Sequence, residues 1–180
     1  MIRILLFVLL TPLLTFAQSE EKKDVWQPFK YFVGSWKGHE TGKAGIGKGE
    51  RTYEFIMKGK YLHCKNKSVF DPQEKNPKGE VHEDWTFLSY DKIRGKFVLR
   101  EFHIETFVNQ YLLDSLSTDN KTMIFITESI ENLPPGFRAR LSFFIKNENE
   151  FSEKFEIAAP EKEFKLYIEN FWTKEKLNSK

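Results

Sequence analysis

The feature that most constrains this chain is its succession of short segments in which apolar and polar residues alternate. In one segment Phe151 and Phe155 share one face, and Ser152 and Lys154 share the other, which is the two-residue period of a β-strand. Turn residues separate such segments at intervals of roughly 8 to 14 positions, as in all-β domains. No stretch of about 12 residues keeps the 3.6-residue period of an amphipathic helix. The pattern therefore predicts an all-β protein.

The alternating segments predict ten strands, preceded by one short helix over 25–32 with Asp24 as its N-cap. The predicted strands are 33–40, 47–57, 61–70, 80–90, 96–104, 108–117, 121–129, 137–146, 150–158 and 163–172. Strands joined in order by hairpins leave two open edges unless the sheet closes on itself. We therefore expect a ten-stranded antiparallel up-and-down barrel, with a two-sheet sandwich as the alternative.

The N-terminus has the three-part organisation of a secretory signal peptide. Arg3 gives a positive start, residues 4–16 are almost wholly apolar, and Thr15 and Ala17 place small residues before a cleavage point. The apolar run of about 13 residues is too short for a transmembrane segment, which needs roughly 20. We expect residues 1–17 to be removed, 18–23 to form a flexible tail, and 24–180 to form one barrel domain. The protein is then exported, either periplasmic or secreted.

Composition restricts the partners that this chain can have. The 28 basic and 26 acidic residues nearly cancel, so the chain lacks the basic excess of a nucleic-acid-binding protein. Cys64 is the only cysteine, which excludes an intramolecular disulfide, and we expect it to be a small, partly buried apolar residue. Aromatic residues make up 16% of the chain, and their bulk suits a wide β core. None of these features specifies an oligomeric state.

A Gly-x-Trp-x-Gly motif, formed by Gly34, Trp36 and Gly38, enters the first predicted strand directly after the short helix. In this position the motif resembles that of the calycin superfamily, which includes lipocalins and fatty-acid-binding proteins. The chain most resembles uncharacterised exported bacterial lipocalin-like proteins. The resemblance implies that glycine lets the chain pass closely under the barrel floor, that Trp36 plugs this floor, and that the barrel binds a small hydrophobic or amphipathic molecule.

The segment 79–83, which contains His82, is also similar to a segment of the nitrobindin-like heme-binding barrels. Those barrels hold heme iron through a histidine near the end of the chain. Here no histidine follows His103, and the last predicted strand carries Phe171 and Trp172 instead. We therefore expect no bound cofactor, and heme remains an alternative that would need His82 or His103 as its ligand.

Two neighbouring predicted strands carry most of the residues that could perform chemistry. Suppose that the turn between them sets a register in which the numbers of paired residues add up to 187. Asp84 then lies opposite His103, and His82 lies opposite Glu105. Two histidines and two carboxylates then share one face, and Glu101 lies on the same face of its strand. This face is either a polar ligand anchor at the mouth of the barrel or an ordinary solvated outer surface, and the outer surface is favoured. We expect no metal site.

Arg138 and Arg140 share one face of the eighth predicted strand and are further candidates for ligand binding. Two inward guanidinium groups could hold a carboxylate, because each presents a rigid fork of donors. Ala139, Leu141 and Phe143 make the more obvious inner face, which favours an outward position for the arginines. Phe144 lies on the same face of the strand as the two arginines, so an inward position of the arginines remains an alternative.

The sequence contains no nucleophile elbow, P-loop or dinucleotide-binding motif. Gly45, Gly47 and Gly49 lie between two predicted strands with no helix behind them, and we interpret them as a flexible hairpin rather than a phosphate-binding loop. The favoured function is small-molecule binding in the barrel cavity. The alternatives are a heme-binding barrel, an enzyme in which His103 and Glu101 or Glu105 act as acid and base, and a packed structural domain.

Overall fold

The computed structural model describes residues 24–176, in which every strand is antiparallel to both of its neighbours. The elements are a 3₁₀ helix at Gln27–Phe32 and the strands β1 (Gly34–Gly42), β2 (Gly45–Ile56), β3 (Tyr61–Phe70), β4 (Glu80–Asp91), β5 (Lys96–His103), β6 (Val108–Leu116), β7 (Thr122–Glu131), β8 (Arg138–Asn147), β9 (Glu150–Ala158) and β10 (Lys165–Lys174). Each strand pairs with the next, and β10 pairs with β1 to close the ring. The prediction of a ten-stranded up-and-down barrel is confirmed, and the sandwich alternative is wrong.

The predicted strand boundaries agree with the observed ones to within about two residues, the usual uncertainty at the ends of elements. The predicted N-terminal helix is a single 3₁₀ segment that begins two positions later, with Pro28 in its first turn. The predicted signal peptide and tail lie outside the described residues. Within residues 24–176, no helix is long and apolar enough to cross a membrane.

The 3₁₀ helix and the residues after it close one end of the barrel. Trp36 is completely buried there, and its Nε1 donates a hydrogen bond of 2.7 Å to the carbonyl oxygen of Phe32. Gly34 has a φ of +123°, a conformation that residues with a Cβ rarely adopt. A Cβ on Gly38 would lie 2.3 Å from the carbonyl oxygen of Phe171. The motif therefore fills and closes the floor, as its resemblance to the calycins implied.

Aromatic rings fill the closed end of the barrel above this floor. The rings that contact one another there are Trp26, Phe29, Phe32, Trp36, Tyr53, Phe97, Phe125, Phe143 and Phe151. Most of these pairs meet edge to face or tilted, the arrangement that the charge distribution of aromatic rings favours. This half of the interior is a packed hydrophobic core.

The glycines near the start of β2 form part of the strand and not a flexible hairpin, which corrects the prediction for them. Their positions alternate with exposed residues and face the barrel interior. A Cβ on Gly47 would lie 2.7 Å from the ring of Phe70, and one on Gly49 would lie 2.5 Å from the ring of Trp172. Gly47 and Gly49 are therefore needed because aromatic rings occupy the space in front of them.

A β-bulge interrupts β10 between Leu166 and Ile168. Simple alternation places Phe164 and Leu166 on the same face as Trp172, but the extra residue changes the phase of the strand. Leu166 is consequently half exposed, whereas Trp172 is buried. The alternation of the sequence therefore does not describe the faces of β10 before the bulge.

Candidate functional site

The pairing of β4 with β5 brings the predicted polar residues together at the end of the barrel opposite the 3₁₀ helix. Asp84 lies opposite His103 and Trp85 lies opposite Phe102, so partner numbers sum to 187 as the turn suggested. Nδ1 of His82 lies 2.8 Å from Oε1 of Glu105. Asp84 is buried and bonded inside the barrel. The interpretation of this face as a solvated outer surface is therefore wrong.

Five side chains form what we call the open-end cluster: His82, Asp84, Glu101, His103 and Glu105. Nε2 of His82 lies 3.3 Å from Oδ2 of Asp84, and Nε2 of His103 lies 3.2 Å from Oε2 of Glu101. The two imidazole rings face one another with centroids 5.5 Å apart. Three carboxylates thus surround two histidines.

The open-end cluster extends from the barrel interior to the solvent. The exposed fraction of the side chain is 6% for Asp84, 15% for His103, 26% for His82 and 47% for Glu105. A solute approaching this end therefore meets Glu105 and His82 first and Asp84 last.

The carboxylates control the charge of the histidines. Burial alone would lower the pKa of His82, but its hydrogen bonds with Asp84 and Glu105 outweigh burial and raise the pKa to about 9. Burial also disfavours the charged form of His103, and the neighbouring Glu101 carboxylate outweighs this and raises its pKa. Burial would raise the pKa of Asp84, but its contacts with His82 and Arg51 lower it. The cluster therefore favours an ionised Asp84 beside protonated histidines.

A second polar group lies deeper, and we call it the mid-barrel network: Arg51, Asn66, Glu153 and Asn170. Arg51 forms a buried ion pair with Glu153, and Nε of Arg51 donates to Oδ1 of Asn66 at 3.0 Å. Asn170 donates to Oε1 of Glu153 at 3.1 Å. Asn66 also donates to Oδ2 of Asp84 at 2.7 Å, so hydrogen bonds run continuously from the centre of the barrel to its open end.

The sequence interpretation missed this network, although alternation carried a signal for it. Glu153 lies in phase with Phe151 and Phe155, and Asn170 lies in phase with Trp172. A polar residue between apolar neighbours of the same phase points into the core, where it needs a partner. Assigning faces from apolar residues alone left out these positions.

Further polar side chains extend both groups. Ser68 donates to a carboxylate oxygen of Glu40, and the hydroxyl of Tyr111 donates to Oε2 of Glu101 at 3.2 Å. Nδ2 of Asn109 lies 3.1 Å from the Tyr111 hydroxyl oxygen and 3.0 Å from Nε2 of His103. Burial raises the pKa of Tyr111 well above its usual value, which keeps its hydroxyl protonated as a donor.

The remaining space between the aromatic core and the mid-barrel network is a cavity of about 30 Å³. Its polar lining includes Arg51, Tyr53, Glu101 and Glu153. This volume suits one or two water molecules, whereas pockets for small organic ligands measure roughly 300–1,000 Å³. A heme does not fit this interior, because the cavity is too small and both candidate histidines contact carboxylates.

The two arginine candidates lie apart from these groups, on the outside of β8. Nε of Arg140 donates to Oε2 of Glu156 at 2.6 Å, and Arg138 donates to the carbonyl oxygen of Lys162 at 2.8 Å. Both guanidinium groups stand over the ring of Phe164, while Ala139 between them is completely buried. The inward alternative for the arginines is not realised.

Cys64 is buried inside the barrel, more completely than the sequence predicted. Burial raises the pKa of its thiol well above the usual value. A protonated thiol is a poor nucleophile, so Cys64 belongs to the packed interior.

The comparisons with known proteins concern the fold. No family model and no curated protein matches the sequence. The solved structure of Rv2717c from M. tuberculosis superposes with a TM-score of 0.61 at 15% identity, covering 84% of this chain and 97% of that chain. The S-type phycobiliprotein lyase CPES from Guillardia theta superposes with a TM-score of 0.53 at 12% identity, covering 86% of this chain and 94% of that chain.

The chain therefore shares its overall barrel fold with these two proteins. At such low identities the likeness extends to the barrel architecture and not to particular residues. The open-end cluster and the mid-barrel network must therefore be interpreted from their own geometry.

Proposed function

We propose that this protein binds a small amphipathic molecule whose polar group enters the open-end cluster. The observation that carries the proposal is the continuous line of hydrogen-bonded polar side chains from Glu105 to Arg51 in a barrel whose core is otherwise mainly apolar. Burying charged groups costs several kcal/mol each before pairing compensates it, and ionisable groups of this kind concentrate at functional sites.

The small cavity supports an amphipathic ligand over a wholly hydrophobic one. A cavity of about 30 Å³ leaves no room for a hydrophobic tail beside the aromatic rings. Glu105, His82 and His103 remain partly exposed, so a polar group reaches them without displacing the core. One structural neighbour is named a phycobiliprotein lyase, which is consistent with a barrel of this kind acting on a partner molecule.

The charge of the cluster indicates which polar groups fit it. Asp84, Glu101 and Glu105 are acceptors, and the formal charges of three carboxylates exceed those of two protonated histidines, so the net negative charge of the cluster opposes a ligand carboxylate. In protein freed of metal ions, an ammonium or hydroxyl group should therefore be accepted and a carboxylate rejected.

Octylamine, octanol and octanoate test this preference, because they are unbranched eight-carbon compounds of similar size that differ in the polar group. We expect the amine and the alcohol, added in EDTA, to raise the thermal unfolding temperature. A ligand at 100 times its Kd stabilises by about 2.7 kcal/mol, which is roughly 5–10 °C for a domain of this size. Native mass spectrometry of the purified protein would reveal a molecule that co-purifies.

The matched variants are Glu101→Gln, inside the cluster, and Glu50→Gln, on the exposed face of β2. The first should lose most of the stabilisation by octylamine and the second should keep it. Equal stabilisation of both variants, stabilisation by octanoate as strong as by octylamine, or no effect of any ligand together with no co-purifying molecule would contradict the proposal.

Acid–base catalysis is a second candidate, favoured by the 3.2 Å contact between Nε2 of His103 and Oε2 of Glu101. A histidine beside a carboxylate can transfer a proton to or from a bound molecule. Recovery of a bound compound in chemically altered form after incubation with the protein would support this candidate, and unchanged recovery supports binding alone.

We also propose that the protein is exported after removal of residues 1–17, on the basis of the apolar run and the small residues before position 18. The intact mass of material recovered from the cell envelope or the medium tests the proposal. A mass that corresponds to a chain beginning at Gln18 is expected, and one beginning at Met1 would contradict it.

A further inference from the structure

We propose that His82, Asp84 and His103 form a binding site for a divalent transition-metal ion of the zinc class. These residues belong to the open-end cluster that the proposed function uses. The inference rests on the proposed function in one respect: solutes must be able to enter the open end of the barrel. Metal binding is measurable without any organic ligand, so the two proposals can fail separately.

The pairing of β4 with β5 brings these three residues close together. His82 and Asp84 are two positions apart on β4 and share its inner face, and His103 lies opposite Asp84 on β5. One ligand atom from each residue lies within 4.8 Å of the others. In the part of the chain that the structure describes, no other group of three histidine, cysteine, aspartate or glutamate residues is brought as close.

The distances suit a tetrahedral ion with small side-chain movements. Ligand atoms about 2.0–2.1 Å from a zinc ion at the corners of a tetrahedron lie roughly 3.3–3.4 Å from one another. Nε2 of His82 and Oδ2 of Asp84 already have this spacing, at 3.3 Å. The ligand atoms of all three residues lie within 4.8 Å of one another, so the widest pair must approach by at most roughly 1.5 Å.

The residues around the three ligands hold them in the orientation that a metal needs. Glu105 lies 2.8 Å from Nδ1 of His82 and can accept its proton, while Nε2 of the same ring points at Asp84, so a bound ion would take the place of the proton on Nε2. Histidine ligands commonly donate their other ring nitrogen to a carboxylate in this way. Asn66 fixes Oδ2 of Asp84 from the opposite side at 2.7 Å.

The charge of the cluster is suited to a cation. Asp84, Glu101 and Glu105 bring three carboxylates to two imidazoles. A divalent ion neutralises two of these charges when both histidines are unprotonated. Imidazole with carboxylate is a ligand set that zinc and its neighbours in the first transition series accept, and magnesium and calcium prefer oxygen ligands alone.

The position of the site leaves one coordination place accessible. Asp84 is the deepest of the three ligands and His82 the most exposed, so the fourth corner of the tetrahedron faces the mouth of the barrel. Three protein ligands with an open fourth place are typical of zinc sites that bind water or an exogenous molecule. The ion would therefore present its open place to a lone-pair donor on a bound molecule.

Titration calorimetry on EDTA-treated, dialysed protein tests the site with ZnCl₂ alone. We expect one ion per chain, no binding of Mg²⁺ or Ca²⁺, and an affinity lowered at least tenfold in His82→Gln and in His103→Gln. His39→Gln is the matched control, since His39 stacks on Phe171 on the outside of β1, and it should bind as the unaltered protein does. Absence of one-to-one binding, or equal affinity in all three variants, would overturn the proposal.

A measurement on the unaltered protein keeps the test decisive if a variant fails to fold. The chain has four histidines, so the ring nitrogens of ¹⁵N-histidine-labelled protein give a small set of NMR signals. Zinc should shift the signals of His82 and His103 and leave those of His39 and His63 in place. Shifts confined to His39 or His63 would place the ion elsewhere and contradict the site.

Discussion

Arg51 connects most of the buried charge in this barrel. Its guanidinium pairs with Glu153, donates to Asn66, and stands over the ring of Trp172 at 4.3 Å. Each of these partners comes from a different strand. The interior is therefore held in one arrangement by polar contacts as well as by packing.

Removing the charge of Glu153 should destabilise the protein strongly. Glu153→Gln leaves the buried Arg51 without its counterion, and breaking a buried pair in this way costs about 3–5 kcal/mol. Urea denaturation measures the change in the free energy of unfolding. The exposed control Glu50→Gln should remain within about 0.5 kcal/mol.

The double variant Arg51→Met, Glu153→Leu separates loss of the pair from loss of packing. Because it removes both buried charges, it should recover most of the stability that Glu153→Gln loses. A double variant as unstable as the single one would mean that the network stabilises through its shape and not through its charge.

Trp36 should make a large structural contribution. It is completely buried, and it bonds to the Phe32 carbonyl. Trp36→Ala should lower the free energy of unfolding by about 3–5 kcal/mol, as truncation of buried aromatic residues does. A change below about 0.5 kcal/mol in chemical denaturation, typical of surface positions, would contradict the role assigned to the floor.

His82 should make stability depend on pH. Its folded-state pKa of about 9 lies above the usual value of 6.5, because Asp84 and Glu105 hold its proton and outweigh the effects of burial and of nearby His103. This contribution is fully present below pH 6.5 and is lost as the pH rises through 9, by roughly 3 kcal/mol.

Unfolding measured in EDTA between pH 6.5 and 9.5 tests this dependence. The unaltered protein should lose stability over the range, and His82→Asn should lose clearly less. Identical slopes for the two proteins would show that His82 is not held protonated in the folded state.

At the scale of elements, the approach of β1 to β10 completes the ring. Gly38 lies opposite Trp172, and a Cβ there would lie 2.3 Å from the Phe171 carbonyl oxygen. Gly38→Ala should therefore move the two strands apart and lower the thermal unfolding temperature by more than 5 °C. Lys37→Ala, at an exposed position of the same strand, should change it by no more than about 2 °C.

Strand positions and the β4–β5 register could be predicted because they depend on local signals. Alternation and turn residues mark each strand, and the short turn at 92–95 fixes which residues of β4 and β5 face one another. The bulge in β10 could not be predicted, because the residues around Tyr167 carry no glycine or proline that would mark it. The β2 glycines were misinterpreted because the rings that require them come from β3 and β10.

At the scale of the whole molecule, the interior is divided into an aromatic half and a polar half. Closure brings Arg51 of β2 to Glu153 of β9, two residues 102 positions apart in the sequence. The alternation of apolar and polar residues in each strand predicts that both side chains point inward, but it does not predict that they contact each other. The mid-barrel network thus depends on ring closure, whereas the open-end cluster depends mainly on one hairpin.

The pairing of β10 with β1 is as regular as the pairing of consecutive strands. The closed barrel could therefore be built from a chain that begins at a different strand. A circular permutant that begins at Pro134, ends at Leu133, and joins residue 176 to residue 24 through a short glycine-rich linker keeps all ten pairings. The new ends lie in the turn between β7 and β8, which is largely exposed. Such a protein should fold to the same barrel and retain the pH dependence and ligand preference of the original order.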